Sequence, residues 1–202
     1  MGSTFGHGRS TGGASEPVPI IGMSSKFAGN ATNTDWLWRM LVEGRSGWMP
    51  LLSSRFKPEG VYHPNNERLH SSLDPQYRLQ LESVYEALEN AGLPLAWIAG
   101  SNTSVLTGVF VHDYRDGLLR NPDNLPRLMA TGTGVPVMSN RISQFFDLRG
   151  ASMAIETAYS SGMVAMHQAI QSLRTGEAGM AIVGGANLTL NPDLFKALGS
   201  AG

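Results

Sequence analysis

Apolar residues recur along the chain in two rhythms: short continuous runs, and longer stretches in which they return every three or four positions. The continuous runs predict buried strands at 18–24, 103–110, 151–158 and 179–187. The helical spacing predicts helices at 34–43 and 74–91, within 125–145, and at 159–174. Because apolar strands alternate with helices, the pattern predicts an α/β protein, a layered sheet with helices on both faces.

Two of these helices also show end signals. In the first, Thr34 is a suitable N-cap and Gly44 a suitable stop, and the apolar face consists of Trp36, Leu37, Met40 and Leu41. In the second, Asp74 is the N-cap, and the apolar stripe consists of Tyr77, Leu81, Val84 and Leu88. The later helix at 159–174 carries a stripe of Met163, Met166, Ile170 and Leu173. We expect such stripes to face other elements.

The domain organisation follows from composition. Residues 1–16 are rich in Gly, Ser and Thr without periodicity, which predicts a disordered leader, and 17–202 forms one domain in which 45–72 is irregular. A net charge of −1 gives no basic or acidic face, so nucleic acid is not expected as a partner. No run is long enough to span a membrane and no signal peptide is evident, which predicts a cytoplasmic protein without a membrane partner.

The chain contains no cysteine, which excludes disulfides, thiolate metal ligands and a thiol nucleophile. The five histidines, at 7, 63, 70, 112 and 167, lack metal-ligand spacing, and we expect His167 to be a packing residue and the His112–Tyr114 stretch a polar loop. The segment "ATGTGVPV" (130–137) lacks the full phosphate-loop pattern and predicts a structural turn or helix packing. We expect no bound cofactor and no metal.

The stretch "AIETAYSSGMVAM" (154–166) runs from a strand through a small-residue turn into a helix, the arrangement that presents a nucleophile at a sheet edge. The turn carries Tyr159 and Ser160. "AYSSG" approximates the G-x-S-x-G motif of α/β-hydrolases, which offers Ser160 as a nucleophile. Those enzymes place an acid and then a histidine after the serine, whereas the last histidine here is His167. A serine hydrolase is therefore an alternative with an incomplete triad.

Four long blocks carry a resemblance to a known family: "PIIGMSSKF", "DPQYRLQLESVYEALENAGL", "ATGTGVPVMSNRISQFFDLRG" and "IETAYSSGMVAMHQAIQSLRTGEAGMAIVGGANLTLNPDLF". In this order they resemble the N-terminal half of a β-ketoacyl synthase domain of the fungal highly reducing polyketide synthase type. The resemblance extends from residue 17 to the end. It implies a thiolase-like fold of which this chain holds the N-terminal half only.

The resemblance also implies a chemistry. In this family a cysteine at the strand-to-helix turn takes an acyl chain from the phosphopantetheine arm of an acyl carrier protein. Two histidines and a lysine of the second half then support decarboxylation and carbon–carbon bond formation. A helix N-terminus suits such a nucleophile, because its dipole stabilises the anion. Family members pair as dimers.

The sequence departs from the family at three places. Tyr159 stands where the family has its cysteine, and a phenol, almost fully protonated at neutral pH, is a poor nucleophile. The 202 residues stop before the family's second half, and a segment that normally precedes the "DPQ" block is missing. We therefore expect a truncated, inactive ketosynthase-like protein of polyketide biosynthesis. The alternative is an accessory module docking on an intact polyketide synthase or acyl carrier protein, and we expect uncovered surfaces to drive dimers or aggregates.

Overall fold

Among the described residues, the central element is a parallel sheet of three strands. The computed structural model describes residues 17–27, 29, 31–47 and 72–200, Phe195 without its side chain. The strands are β1 (Thr103–Val109), β2 (Ser152–Ile155) and β3 (Met180–Ala186), in the spatial order β2-β1-β3. Val105 lies opposite both Ser152 and Ile182, which fixes the register. Three of the four predicted strands are confirmed.

The helices of the described residues vary widely in length. They are α1 (Thr34–Val42), α2 (Pro75–Asn90), α3 (Leu95–Ile98), α4 (Asp113–Leu119), α5 (Met129–Thr133), α6 (Val135–Phe145), α7 (Ser161–Arg174) and α8 (Asp193–Gly199), with a 3₁₀ turn at Pro122–Asn124. The helical stretch predicted within 125–145 is two helices separated by Gly134. The short helices α3, α4 and α8 were not predicted, because four to seven residues are too few to show helical periodicity.

Helices cover both faces of the sheet, as predicted. On one face, α2 and α6 pack against β1 in a cluster that contains Val84, Leu88, Val105, Ile142 and Phe146. On the other face, α7 packs against the sheet through a cluster of Leu106, Ala165 and Ala169. All seven residues of β1 are buried as a result, whereas β2 and β3 are mostly half-buried.

Small side chains bring α7 close to the sheet. The buried residues of this helix are Ser161, Ala165, Ala169 and Ser172. Of the apolar stripe predicted for this helix, Met163 is 75% exposed, and Met166, Ile170 and Leu173 are half-buried. The side of α7 that packs on the sheet is thus the small-residue side.

The prediction of a strand at 18–24 is wrong. This stretch runs alongside α2: the Ser24 hydroxyl donates to the Ser83 carbonyl at 2.6 Å, and the Met23 N–H to the Asn90 side chain at 2.9 Å. Gly22 lies so close that a Cβ there would sit 2.2 Å from the Ala87 carbonyl oxygen. Ile20 stays exposed. An apolar run cannot by itself distinguish a paired strand from an extended segment laid on a helix.

The helix ends agree with the predictions in one case and differ in the other. The Asp74 side chain caps α2 by accepting from the Gln76 N–H at 2.9 Å, as predicted. The N-cap of α1 is Asn33 rather than Thr34, because the Asn33 side chain accepts the Trp36 N–H at 2.9 Å. Of the predicted α2 stripe, Leu81 is partly buried and the other three residues are buried, whereas α1 has no buried residue.

Two predictions fall outside this picture. The leader at 1–16 and most of the irregular stretch at 45–72 lie outside the described residues. Within the ranges that are described, no helix has both the length and the apolar character needed to cross a membrane.

Candidate functional site

The turn between β2 and α7 lies where the carboxyl end of the sheet meets a helix N-terminus. Ala158 has φ 55°, a left-handed conformation uncommon for a residue with a side chain. The Ser161 hydroxyl holds this geometry: it donates to the Ala158 carbonyl at 2.6 Å and accepts the Thr157 N–H at 2.8 Å. Such conformations persist only where the surroundings fix them, as these bonds do.

Gly108 allows the N-terminus of α7 to rest directly on β1. A Cβ at Gly108 would lie 2.6 Å from the Gly162 nitrogen and 2.7 Å from the Ser161 carbonyl carbon. The backbone amides of the first turn of α7 are therefore held beside the end of β1. The turn has the arrangement predicted from the sequence.

Tyr159 projects from this turn into solvent. The residue is 81% exposed, and its ring packs against Phe110, which follows β1, with ring centroids 5.3 Å apart and planes inclined by 57°. An edge-tilted aromatic pair of this kind is favourable. The phenol thus occupies the mouth of the turn, at the helix N-terminus.

Ser160 is turned back toward the preceding residues. Its hydroxyl donates to the Thr157 carbonyl at 2.7 Å and also lies 2.9 Å from the Thr157 hydroxyl. A nucleophilic serine needs a base within hydrogen-bond reach. The bonds of Ser160 are to Thr157, so the structure does not bring this candidate together with a histidine.

The two histidines in the described residues stand in different surroundings. His112 Nε2 lies 3.3 Å from Glu156 Oε1, which links the segment after β1 to the start of the turn. His167 is exposed on α7, so the expectation that it is a packing residue is wrong. It projects from the helix side that does not meet the sheet.

Two buried side chains that were not predicted from the sequence as site residues hold the loops near the site. The Gln76 side chain donates to the Val111 carbonyl at 2.9 Å and accepts the Leu188 N–H at 3.1 Å. The Asp113 carboxylate accepts the N–H groups of Leu190 at 2.8 Å and Asn191 at 3.1 Å. Together they tie the segments that follow β1 and β3.

The stretch at 112–114 is accordingly not the polar loop expected. His112 is the N-cap of α4, and Asp113 begins that helix.

Burial raises the pKa of two groups close to Gln76, namely Asp74 and Tyr77. Desolvation raises the pKa of Asp74 above its ordinary value, and the N–H bonds from Gln76 act in the opposite direction. Burial, followed by the nearby Asp74 charge, raises the pKa of Tyr77. The Tyr77 hydroxyl remains a donor and bonds to the Gly134 carbonyl at 2.7 Å. Both groups are therefore structural parts of the scaffold.

The segment "ATGTGVPV" has a packing role, as expected. A Cβ at Gly132 would lie 1.7 Å from the Ser72 carbonyl oxygen, so this glycine lets two backbone segments meet. Gly134 lies between α5 and α6, and its carbonyl accepts the hydrogen bond from the Tyr77 hydroxyl. Across the described stretches, no group of three or more acidic or histidine side chains could hold a metal ion.

Comparison with known proteins gives a consistent family match. A family model described as "Beta-ketoacyl synthase, N-terminal domain" matches residues 15–71 and 66–202. The highly reducing polyketide synthases sorA of Penicillium rubens and sor1 of Hypocrea jecorina are each 72% identical over 94% of this chain. The compactin diketide synthase mlcB of Penicillium citrinum is 46% identical over 96% of it.

The chain is short beside these relatives. It spans 8% of the length of sorA and of sor1, and 9% of mlcB. The alignment with sorA runs over 218 positions, more than the 202 residues of this chain, so some internal residues of sorA have no counterpart here. The two pieces of the family match meet at 66–71, just before the "DPQ" block, where a missing segment was predicted.

Solved structures share the same fold. A ketosynthase from module 6 of the bacillaene synthase of Bacillus subtilis superimposes with a TM-score of 0.75 at 28% identity. It matches 91% of this chain, which covers 34% of that structure. An oxazolomycin ketosynthase domain of Streptomyces albus gives a TM-score of 0.77 at 25% identity, with 91% and 37% covered. The thiolase-like class predicted from the sequence is confirmed.

Proposed function

The chain belongs to the β-ketoacyl synthase family, and from this membership we propose that its 202 residues are a catalytically silent ketosynthase-type component of polyketide biosynthesis. The observation that carries the proposal is Tyr159. The resemblance assigns this position to the acyl-accepting cysteine, and here it bears an exposed phenol packed on Phe110. The proposed protein therefore binds no acyl chain covalently.

The physical reason lies in the nucleophile. A thiolate at a helix N-terminus is stabilised by the helix dipole and attacks a thioester readily. A phenol is almost fully protonated at neutral pH, and no basic group is bonded to Tyr159 in the described part of the chain. Its ring, packed against Phe110, also stands at the turn where the carrier-bound thioester of the family would approach.

The supporting acid–base groups of the family lie outside the part of the domain that these residues match. The family's two histidines and lysine belong to its second half, which has no counterpart in residues 17–202. His112 contacts Glu156, and His167 lies exposed on the outer side of α7. General acid–base and electrostatic groups of this kind are each worth factors of about 10² to 10⁴ in rate. Decarboxylation and condensation therefore need the rest of a ketosynthase.

The serine hydrolase alternative receives no support from the geometry. Ser160 bonds to Thr157, and the nearby histidine, His112, bonds to Glu156. The accessory-module alternative is favoured by a specific feature, the exposed apolar side chains of α1 together with Met163 of α7. We propose a cytoplasmic protein that associates through such surfaces with an intact synthase or with itself.

Intact-protein mass spectrometry after incubation with acyl-loaded carrier protein tests the proposal. We expect no mass increase on the 202-residue chain. The informative variant is Tyr159→Cys, because it restores the residue type that the resemblance assigns to this turn. We expect its thiol to react with iodoacetamide and to accept an acyl group, without release of carbon dioxide from malonyl-carrier protein.

The matched controls are Ser160→Cys, which places a thiol one residue further along but facing Thr157, and Tyr159→Phe. Both should remain unacylated. An acyl adduct on Tyr159 or Ser160 of the natural chain would overturn the proposal. So would carbon dioxide release by Tyr159→Cys at the rate of an intact ketosynthase, since the family's second half would then be dispensable.

A further inference from the structure

Ser161 is the first residue of α7, and its hydroxyl reaches three separate parts of the backbone around the turn. The residue is buried, with 4% of its surface exposed. The hydroxyl accepts the Thr157 N–H at 2.8 Å, donates to the Ala158 carbonyl at 2.6 Å, and lies 3.1 Å from the Val109 carbonyl oxygen at the end of β1. One side chain therefore joins the end of the central strand, the turn and the helix.

The preceding serine has different contacts. The Ser160 hydroxyl is directed to the carbonyl and the hydroxyl of Thr157, at 2.7 and 2.9 Å, and the residue is exposed. Ser160 is the N-cap of α7 by position, yet its side chain makes no capping hydrogen bond to the helix. The two adjacent serines can therefore be compared directly, one as the test and the other as its control.

The bonds of Ser161 oppose a conformational cost at Ala158. This residue is left-handed, with φ 55°, which a residue with a Cβ adopts at a cost. Without the hydroxyl, the Thr157 N–H would lose this partner, and the Ala158 carbonyl would keep the Ser161 N–H at 3.1 Å. Because residue 159 follows directly, the direction of its side chain depends on the Ala158 backbone. The exposed position of Tyr159 and its contact with Phe110 agree with this dependence.

We propose that Ser161 is the positioning residue of the turn. Through the left-handed Ala158 backbone, its hydroxyl sets the direction of the side chain at position 159 and keeps that side chain at the N-terminus of α7. The inference rests on the proposed function in one respect, that position 159 is the acyl-accepting position of the family. A thiol held at a helix N-terminus ionises more readily, so a loss of positioning should be measurable as a loss of thiolate.

Alkylation of the full-length Tyr159→Cys chain by iodoacetamide, followed by intact-protein mass spectrometry across the neutral and alkaline range, tests the inference. The natural chain contains no cysteine, so every adduct reports position 159. Adding Ser161→Ala should slow alkylation at neutral pH about tenfold and move the midpoint of the pH profile up toward about 8.5, the value of an unperturbed thiol. Adding Ser160→Ala should change neither. His112 and Glu156, which pair beside the turn, are retained in every chain.

Ala158→Gly separates positioning from a general loss of stability. Glycine adopts a positive φ without a steric cost, so a turn with glycine at this position should no longer need the Ser161 hydroxyl. Adding Ala158→Gly to the Tyr159→Cys/Ser161→Ala chain should therefore restore most of the alkylation rate and return the midpoint of the pH profile to its original place.

Three results would overturn the inference. The first is an equal rate and midpoint with and without Ser161→Ala. The second is a slow rate that Ala158→Gly does not restore, because Ser161 would then act through packing alone. The third is a Tyr159→Cys thiol that already titrates as an unperturbed one, since the turn would then give it no advantage. The proposed function fails on a different result, an acyl adduct on the natural chain, whatever these alkylation rates are.

Discussion

The strand β1 and the helix α1 have opposite environments, although α1 has the larger share of large apolar residues. Six of the nine residues of α1 are large and apolar, against three of the seven residues of β1. Yet every residue of β1 is buried, and none of α1 is. Burial in this protein therefore follows from the neighbours that an element has, more than from its own hydrophobicity.

The neighbours of β1 all come from within 72–200. β2 and β3 flank it, α2 and α6 cover one face, and α7 covers the other. In α1, by contrast, the Arg39 guanidinium lies 5.2 Å from the centre of the Trp36 ring, a contact within the helix itself. Trp38, Leu41 and Val42 remain more than 60% exposed. The region 72–200 contains its own core, whereas the layer at 17–47 contributes apolar surface.

A pair of alanine substitutions tests this contrast directly and should give the largest effect. Leu106→Ala, in the cluster between β1 and α7, should lower the free energy of unfolding by about 3 kcal/mol, because it leaves a cavity in a packed site. Leu41→Ala on α1 removes the same atoms from an exposed position and should change it by less than about 0.5 kcal/mol. Chemical denaturation followed by tryptophan fluorescence measures both. Equal effects would show that α1 is buried in solution.

Gly108→Ala examines the contact that sets α7 on the sheet. The added Cβ would meet backbone atoms of Ser161 and Gly162 at under 3 Å, and backbone cannot rotate away as a side chain can. We expect a loss of about 2 kcal/mol in the free energy of unfolding. Gly185→Ala on β3 is the matched control, since nothing lies within 4 Å of its Cβ position. If both variants melted alike, the close approach of α7 to β1 would be refuted.

Periodicity predicted the elements whose pattern and packing agree. The strands β1 and β3 coincide with short apolar runs that lie between turns. The helix α2 has an N-cap, an apolar stripe and a C-terminal stop signal in the same stretch of sequence. The turn around Tyr159 was predicted as well, because a strand followed by small residues and a helix fixes its position. Local signals were sufficient in these cases.

The remaining features depend on tertiary contacts. The side of α7 that meets the sheet was not predictable from hydrophobicity. Ala165 and Ala169 pack there because they are small, whereas Met163, a larger apolar residue, is exposed. Asp113 bonds to Leu190, which lies 77 positions further along the chain, and Gln76 bonds to Leu188, which lies 112 positions further along. No local pattern in the sequence reveals bonds over such separations. The stretch at 18–24 had the composition of a strand, but it lies against α2 instead.

The exposed side of α1 should promote self-association. Trp38 and Leu41 lie three residues apart, on the same side of the helix, and both are exposed. Soluble monomers rarely expose large contiguous apolar patches. We expect the natural chain to sediment as dimers or larger species, and Trp38→Glu/Leu41→Glu to shift it toward the monomer. Trp97→Glu, on α3, is the control for general loss of hydrophobicity. A sharp monomeric boundary for the natural chain would contradict the expectation.

The smallest effect should come from Asp74, a buried carboxyl group that caps α2 in the well-packed region. Burial raises its pKa in the folded state above the ordinary value of 3.8, so the folded chain binds the proton more tightly than the unfolded chain. The stability linked to this proton is fully present below the unfolded pKa and is lost as pH rises through the folded pKa.

Asp74→Asn keeps an acceptor for the Gln76 N–H but cannot ionise. Its free energy of unfolding should therefore lack the decline that the natural chain shows as pH rises above 3.8. Asp74→Ala removes the cap as well and should be less stable than Asp74→Asn by about 1 kcal/mol at every pH, which separates the cap from the charge. Denaturation curves of the three chains across the acidic range decide the point. Parallel profiles for the natural chain and Asp74→Asn would mean that the Asp74 carboxyl is solvated in solution, and that the support beneath the turn is looser than its hydrogen bonds indicate.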